Sequence, residues 1–546
     1  MKLIDSNLNI LALAFGQHGA SVAYFEKGNL KYVFEEERFN RIKAWKDNEN
    51  NLVRYPLRCL QTLIHLGVDF NTIDYFTGWQ PYKDINHVLG ATIFYNFPEE
   101  KYIQQEHHEV HTATAYYPSG FKDDTLAIAI DASGNEYSAR YFLGQQGDLI
   151  NIESIKLDRK SLGHYYIALT ELLGFKRHKD EGKIVGMSGH GDFVPDLYNV
   201  WNNIIKIEDL QTDFCDHPDF PGGSIYRDMH ANFFNLYGSM YYKNSFFLNR
   251  IANTGQYIFE EKVLEIINNL HKRYPNIKNI ALSGGIFANV KLNKRINDLD
   301  WVENVFVAPS MGDEGLSFGA MLLTLKQLYP SFKPFKLENM FFGREYNKEE
   351  INTAANNILG NYNYIPLNID FIASLLHNKK ILGLFQGGFE HGPRALGNRS
   401  IICDATHPET YDILNNKLKR NDFMPFAPAV LDEDANILFK INKSSHTAEF
   451  MTMLYDTQDE WKDKLPTVTH PIDKTARIQI VTEQSNPLFY QILKTYKEKS
   501  GVGCLVNTSF NIHNEPIVEC PENAFEHLKT GIIDYLVTPY GIYSKI

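Results

Sequence analysis

Between Glu106 and His111, "QQEHHEVHTATAYYPSG" places three histidines and two glutamates in six positions. On a helix, His107 and His111 stand one turn apart on the same face, so two imidazoles can reach one metal ion while Glu109 points elsewhere. Helical histidine pairs also cap, hydrogen-bond or lie at surfaces, so the spacing alone leaves both readings open. Asp131 in "AIDASGNEYSA" closes an apolar strand. A buried carboxylate there needs a metal, a cation or several donors to offset its desolvation, unless it caps a loop. Asp313 in "APSMGDEGLSFGAML" offers a second carboxylate, to a metal or a ribose. Should His107, His111, Asp131 and Asp313 converge, they form a mixed nitrogen and oxygen site that suits a divalent first-row ion with positions open to substrate oxygens.

Other residues suit anions. "LSGGIFANVKLNKRI" sets Gly284 and Gly285 between a strand and a helix, where backbone N–H groups and the helix start can receive phosphate or ribose oxygens. Asn289 and Asn293 would share one face of that helix. Gly312 and Gly315 allow close backbone approach in a similar turn. Neither loop is a Walker loop or a GxGxxG fingerprint, and two tight strand-to-helix turns would read the same way. "FQGGFEHGPRALGNRSI" fixes Arg394 and Arg399 among glycines, an arrangement suited to bidentate recognition of phosphate or carboxylate. "NNKLKRNDFMPFAPAV" adds Lys417, Lys419 and Arg420, for which a solvated face is the ordinary reading. Arg477 in "KTARIQIV" and Ser509 and Asn511 in "VNTSFNIHNEP" follow, the latter pair after an apolar strand.

Strand ends and helix starts must hold these side chains. Five β-rich runs, "NILALAFGQHGAS", "LAIAIDASGNE", "NIALSGGIFAN", "NVFVAPSMGDEG" and "KILGLFQGGFEHG", each end in a Gly, Asp or Ser cluster, which predicts an α/β protein with its chemistry at strand ends. In "GQYIFEEKVLEIINNLHKR" the apolar residues follow helical spacing and read as packing. Two prolines and mixed charge in "LYPSFKPFKLENMFFGREYNKEEI" place a domain boundary near residue 345.

With 546 residues and 44% apolar content, the chain is long enough for two domains with cores of their own. A net charge of -12, from 54 basic and 66 acidic residues, argues against a broad grip on nucleic acid and leaves room for a local basic site. The first residues read as a strand rather than a signal peptide, and no apolar run is long enough to span a bilayer. Cys59, Cys215, Cys403, Cys504 and Cys520 form no CxxC, which suits a reducing cytoplasm and small core residues.

Taken in order, "GQHGASVAYFEKGNL", "FEEERFNRIK", "HHEVHTATAYYPSGF", "DEGKIVGMSGHG", "LSGGIFANVKLN", "GDEGLSFGA", "EHGPRALGNRSI", "PFAPAVL" and "VNTSFNIHNEPIV" resemble the O-carbamoyltransferases of the NodU/CmcH type, which act in nodulation-factor and antibiotic biosynthesis. The resemblance spans the whole chain. It implies an actin-like ATPase (ASKHA-type) domain over residues 1–345 and an α/β domain similar to threonylcarbamoyl-adenylate synthases (YrdC-like) over 346–546. It also implies chemistry: the second domain takes carbamoyl phosphate, carbamate passes inward to react with ATP, and an acceptor hydroxyl attacks the resulting carbamoyl-adenylate beside a metal.

By the same correspondence His107, His111, Asp131 and Asp313 are metal ligands, with iron(II) favoured over manganese or zinc and magnesium accompanying ATP. Gly284, Gly285, Asn289 and Gly312 line the adenylate. Arg394, Lys419, Arg477, Ser509 and Asn511 contact carbamoyl phosphate, and His18 is the general base for the acceptor. His108 and Glu109 are left as neighbours. Three features depart from the family pattern: Gly388 stands where an arginine is usual, Met424 replaces an arginine before "PFAP" with Lys419 or Arg420 nearby to compensate, and Ala132 replaces a glycine beside Asp131.

The expected acceptor is a hydroxyl of a small or glycosidic metabolite, with no nucleic acid or membrane partner, a cytoplasmic setting and a homodimer from base rates. A transferase acting on a tRNA-linked or protein group is a second reading, which the acidic balance disfavours. A nucleotide-binding protein without turnover is a third. Aromatics between about 205 and 255 suit stacking on a sugar or macrocycle and equally a packing insert.

Overall fold

The computed structural model describes residues 1–16, 19–43, 55–93, 95–157, 161–214, 229–230, 232, 234–236, 245–420 and 424–546. His18, Cys215 and much of the aromatic stretch lie outside the described residues.

One topology occurs twice in the amino-terminal part. In the first sheet, β1 (Asn9–Ala14), β2 (Ser21–Glu26), β3 (Asn29–Glu35), β4 (Tyr75–Gly78) and β5 (Tyr102–Gln104) take the order β3-β2-β1-β4-β5. Strands β1, β2 and β3 run antiparallel, and β1, β4 and β5 run parallel. In the second, β6 (Thr125–Gly134), β7 (Tyr137–Gln145) and β8 (Asp148–Lys156) precede a separate hairpin of β9 (Ile205–Glu208) and β10 (Gln211–Phe214); β11 (Asn279–Ser283) and β12 (Asn304–Val307) complete the order β12-β11-β6-β7-β8. The pairing senses repeat as well. Both central strands are apolar: every residue of β1 is buried, as are the first six of β6, and so each reads as a continuous hydrophobic run. This duplicated α/β arrangement agrees with the actin-like expectation.

Two helices pack between the sheets: His107–Tyr116 and Leu316–Leu328, both almost wholly buried. They approach closely because Gly319 has no side chain where a Cβ would strike the Val110 carbonyl and the Thr114 side chain. The first helix starts where Glu106 accepts a hydrogen bond from Glu109 N at 2.9 Å, and Arg140 holds that carboxylate at 2.7 Å.

The carboxy-terminal part is one larger mixed sheet. Its strands are β13 (Asn363–Pro366), β14 (Leu382–Phe385), β15 (Arg399–Asp404), β16 (Ala427–Leu431), β19 (Gln479–Val481), β20 (Cys504–Ser509), β21 (Tyr535–Thr538) and β22 (Gly541–Ser544), in the order β13-β22-β21-β14-β15-β20-β16-β19. A short ribbon of β17 (Tyr455–Asp456) and β18 (Thr475–Ala476) lies apart from it.

The two parts are fastened together. Ser444 and Thr447 hydroxyls accept from Val305 N and Val307 N at 2.7 and 3.0 Å, capping the open edge of β12. Arg38, fully buried, pairs with Glu35 at 3.3 Å and donates to the Gly392 carbonyl at 2.6 Å, while His391 Nδ1 lies 3.1 Å from Glu35. Arg41 donates to the Pro516 and Ile517 carbonyls at 2.7 Å each. One apolar cluster runs through both parts, from Ile10 and Ile128 to Val506 and Tyr543. Among the described residues no helix is long and apolar enough to cross a membrane.

Candidate active site

Two centres emerge. At the first, the ligand-capable atoms of His107, His111, Asp131 and Asp313 all lie within 4.8 Å of one another. His111 Nε2 is 3.3 Å from Asp131 Oδ2 and 3.3 Å from Asp313 Oδ1, and His107 Nε2 is 3.8 Å from the latter. The helix start supplies both histidines, the end of β6 supplies Asp131, and the turn before Leu316 supplies Asp313. Gly284, at φ +99°, and Gly285 let the following loop pass close: a Cβ at 285 would stand 3.0 Å from Asp131 Oδ1.

Electrostatics separate the two histidines. Burial, then the neighbouring His111, lowers His107 to about 4. At His111 burial also opposes charge, yet Asp131 and Asp313 outweigh it and raise the group to about 10. Both carboxylates are held below the usual range, because pairing with the histidines outweighs their burial. Both nitrogens of His107 and Nδ1 of His111 have no hydrogen-bond partner, although both rings are buried. Two carboxylates closing on a buried cation, with orphaned imidazole nitrogens beside it, fit a divalent metal ion that takes the place of the proton.

The second centre is a cavity of about 320 Å³ between the two parts. Arg394, Arg420 and Arg477 line its carboxy-terminal side with Ser509 and Asn511, and Lys43, Lys183 and Lys291 line its amino-terminal side. Among the described residues Asp473 is the one carboxylate in the lining, and it is already held by His470 at 3.2 Å and by the Thr475 hydroxyl at 2.7 Å. Burial lowers Arg394 to about 10 against the pull of Glu314, and burial followed by Arg394 and Arg420 lowers Arg477. Buried Nε atoms of Arg394 and Arg477 have no partner. Desolvated like charges of this kind are stabilised by an incoming anion.

Sequence comparison decides the family. Residues 82–322 match the model for the carbamoyltransferase N-terminus and 373–545 that for the carbamoyltransferase C-terminus. An uncharacterised protein of Methanocaldococcus jannaschii is 33% identical over 462 residues, covering 81% of this chain and 74% of its own. The chain belongs to the carbamoyltransferase family. Nodulation protein NolO of Bradyrhizobium diazoefficiens is 28% identical over 436 residues, 79% of this chain and 77% of that protein. Among solved structures, full-length HypF in its phosphate- and nucleotide-bound form is similar at 13% identity with a TM-score of 0.38, over 60% of this chain and 48% of that one.

In this carbamoyltransferase the four expected metal ligands come together. Arg394 is presented by a loop wound around one carboxylate: Glu390 Oε1 accepts from Leu396 N, Asn398 N and Arg399 N at 2.7, 2.8 and 3.1 Å. Arg399 faces differently. It donates to the Gln386 and Asn398 carbonyls at 2.6 and 3.0 Å and lies 3.7 Å from the Phe385 ring centre, so it holds the loop instead of facing the cavity.

Asn289 does not share a helix face with Asn293. It precedes the helix Val290–Asn297 and caps it, accepting from Leu292 N at 3.1 Å and pairing with Gln256 at 3.0 Å, while Asn293 donates to the Phe287 and Thr452 carbonyls. Lys419, at φ +54°, is outside the cavity lining; Arg420 occupies it. Lys417 pairs with Asp534 at 2.9 Å, the ordinary surface reading. Ser509 and Asn511 line the cavity, although the Asn511 amide is spent on the Ile512 and Glu515 carbonyls.

Sequence reasoning missed the lysines. Lys183 in "DEGK" and Lys43 in "FNRIK" sit in motifs that carried the family likeness without any assigned role.

Proposed function

We propose that the enzyme is an ATP-dependent O-carbamoyltransferase acting on a hydroxyl of a small or sugar-containing metabolite. Its actin-like portion, 1–345, would hold nucleotide and metal, and a YrdC-like portion, 346–546, carbamoyl phosphate. The cavity carries this reading, because arginines of one part and lysines of the other face a single space.

Arg394, Arg420 and Arg477 bind the phosphate of carbamoyl phosphate, whose hydrolysis leaves phosphate and carbamate. A carbamate oxygen then bonds to the α-phosphorus of ATP and expels pyrophosphate, giving carbamoyl-adenylate. His107, His111, Asp131 and Asp313 would hold a divalent ion, iron(II) before manganese or zinc, which when bound supplies Lewis acidity for phosphate and carbamoyl oxygens. Gly284, Gly285 and Gly312 leave room for the nucleotide against that cluster. His18 takes the proton of the acceptor hydroxyl as its oxygen attacks the carbamoyl carbon and AMP departs.

The test is turnover without acceptor. Incubated with ATP, carbamoyl phosphate and iron(II) or manganese, the protein should yield carbamoyl-adenylate, AMP and pyrophosphate by mass spectrometry, and the His107→Ala/His111→Ala protein none. Silence from the native protein with every metal would sink the adenylate chemistry.

A further inference from the structure

The cavity holds more positive charge than one small anion requires. Among the described residues, four lysines of the amino-terminal part and three arginines of the carboxy-terminal part line it against one carboxylate, Asp473, with Asp180 pairing Lys183 at 3.1 Å from outside the lining. A phosphate monoester brings about two negative charges at neutral pH, which the arginines alone can match. The surplus lies on the lysine side.

That side also gathers two helix starts. Gly182 and Lys183 open the helix Glu181–Ser188, Val290 and Lys291 open Val290–Asn297, and all four line the cavity. The N–H groups of Gly182, Val290 and Lys291 and the helix dipoles favour an anion there, while Lys183 N donates to the Asp180 carbonyl at 2.9 Å and leaves its ammonium to face the cavity. Nothing lies within 4 Å of where a Cβ on Gly182 would stand; among the described residues the ammonium of Lys291 makes one long hydrogen bond, to Ser188 Oγ at 3.5 Å, and draws on the buried Glu260 carboxyl through charge alone.

We propose that Lys183, Lys291 and these helix starts form a second anion subsite, which takes a diphosphate chain while the arginines hold a monophosphate. The identities of the two anions rest on the carbamoyl phosphate and ATP reading above; the existence of two subsites does not. During adenylation the bond between the α-phosphorus and its bridging oxygen breaks. Its electron pair leaves with pyrophosphate, and the lysines neutralise that charge as it forms.

Calorimetric titration of the full chain with pyrophosphate and with inorganic phosphate tests this without turnover. Saturating phosphate should change pyrophosphate affinity by less than about threefold. Lys183→Ala/Lys291→Ala should weaken pyrophosphate by about 10–100-fold, the range for lost charge-assisted contacts, with phosphate affinity nearly unchanged. Lys183→Arg/Lys291→Arg, which keeps the charge, should recover most of the loss, and an unchanged melting temperature would exclude misfolding. Strict competition between the two anions, or equal weakening of both in the double alanine protein, would overturn the second subsite. Failure of the adenylate chemistry with pyrophosphate binding intact would leave the subsite standing and remove only its assigned role.

Discussion

The two centres are opposites in charge design. At the first, two acids and two histidines sit within one duplicated fold, and their charges already answer one another; what they lack is partners for three ring nitrogens, both of His107 and Nδ1 of His111. At the second, like charges converge from both parts of the chain with one acid, Asp473, among the described lining residues. A self-compensated cluster is stable while it waits for a small cation. A cluster of repelling cations depends on the surrounding fold to hold it open for an anion. Separate perturbation should therefore divide metal binding from anion binding.

The largest effect belongs to His111. Its replacement by alanine removes the one group that both carboxylates address, so metal content by mass spectrometry should fall to background and carbamoyl transfer by about 10⁴-fold, or about 5 kcal/mol. Phosphate titration of the same protein should be unchanged. Coupled loss of phosphate binding would show that the centres are not separable.

Arg477→Ala makes the converse cut. Removing the guanidinium that Arg394 and Arg420 already crowd should lower kcat/KM for carbamoyl phosphate by about 10³-fold, about 4 kcal/mol, with full metal content. Arg477→Lys should recover only part, since an ammonium cannot reproduce a two-pronged contact. A full recovery would mean that charge alone matters there.

Arg38 tests what joins the centres. Arg38→Met strands the buried Glu35 carboxylate, which Arg38 and His391 otherwise hold low against its burial. Unfolding by denaturant should show a loss of about 3 kcal/mol. Because this contact ties β3 to the loop presenting Arg394, carbamoyl phosphate affinity should weaken more than metal affinity; equal losses would make it a general fold contact.

Legibility followed locality. The i, i+4 histidine pair, Asp131 at a strand end and the Gly284–Gly285 turn were readable because each depends on a few neighbouring residues, and the five apolar runs became strands for the same reason. Asn289 and Arg399 misled because a cap or a backbone clamp uses the same residue types as a ligand site. Lys183 and Lys291 were invisible as ligands. They meet the arginines only through contacts between the two parts, which no local spacing encodes.

The smallest effect concerns Gly388, where the family usually has arginine. Restoring that residue would look like adding a missing cation to the anion cavity. Its surroundings argue otherwise: position 388 is buried, and a Cβ there would run into the Gly343 carbonyl, whose amide is hydrogen-bonded to Phe389 O at 2.9 Å. The backbone would have to yield before any guanidinium reached the cavity, a strain of about 1–3 kcal/mol. Gly388→Arg should thus lower the melting temperature without tightening phosphate binding. Tighter binding at unchanged stability would mean that the loop can re-form around the family arginine.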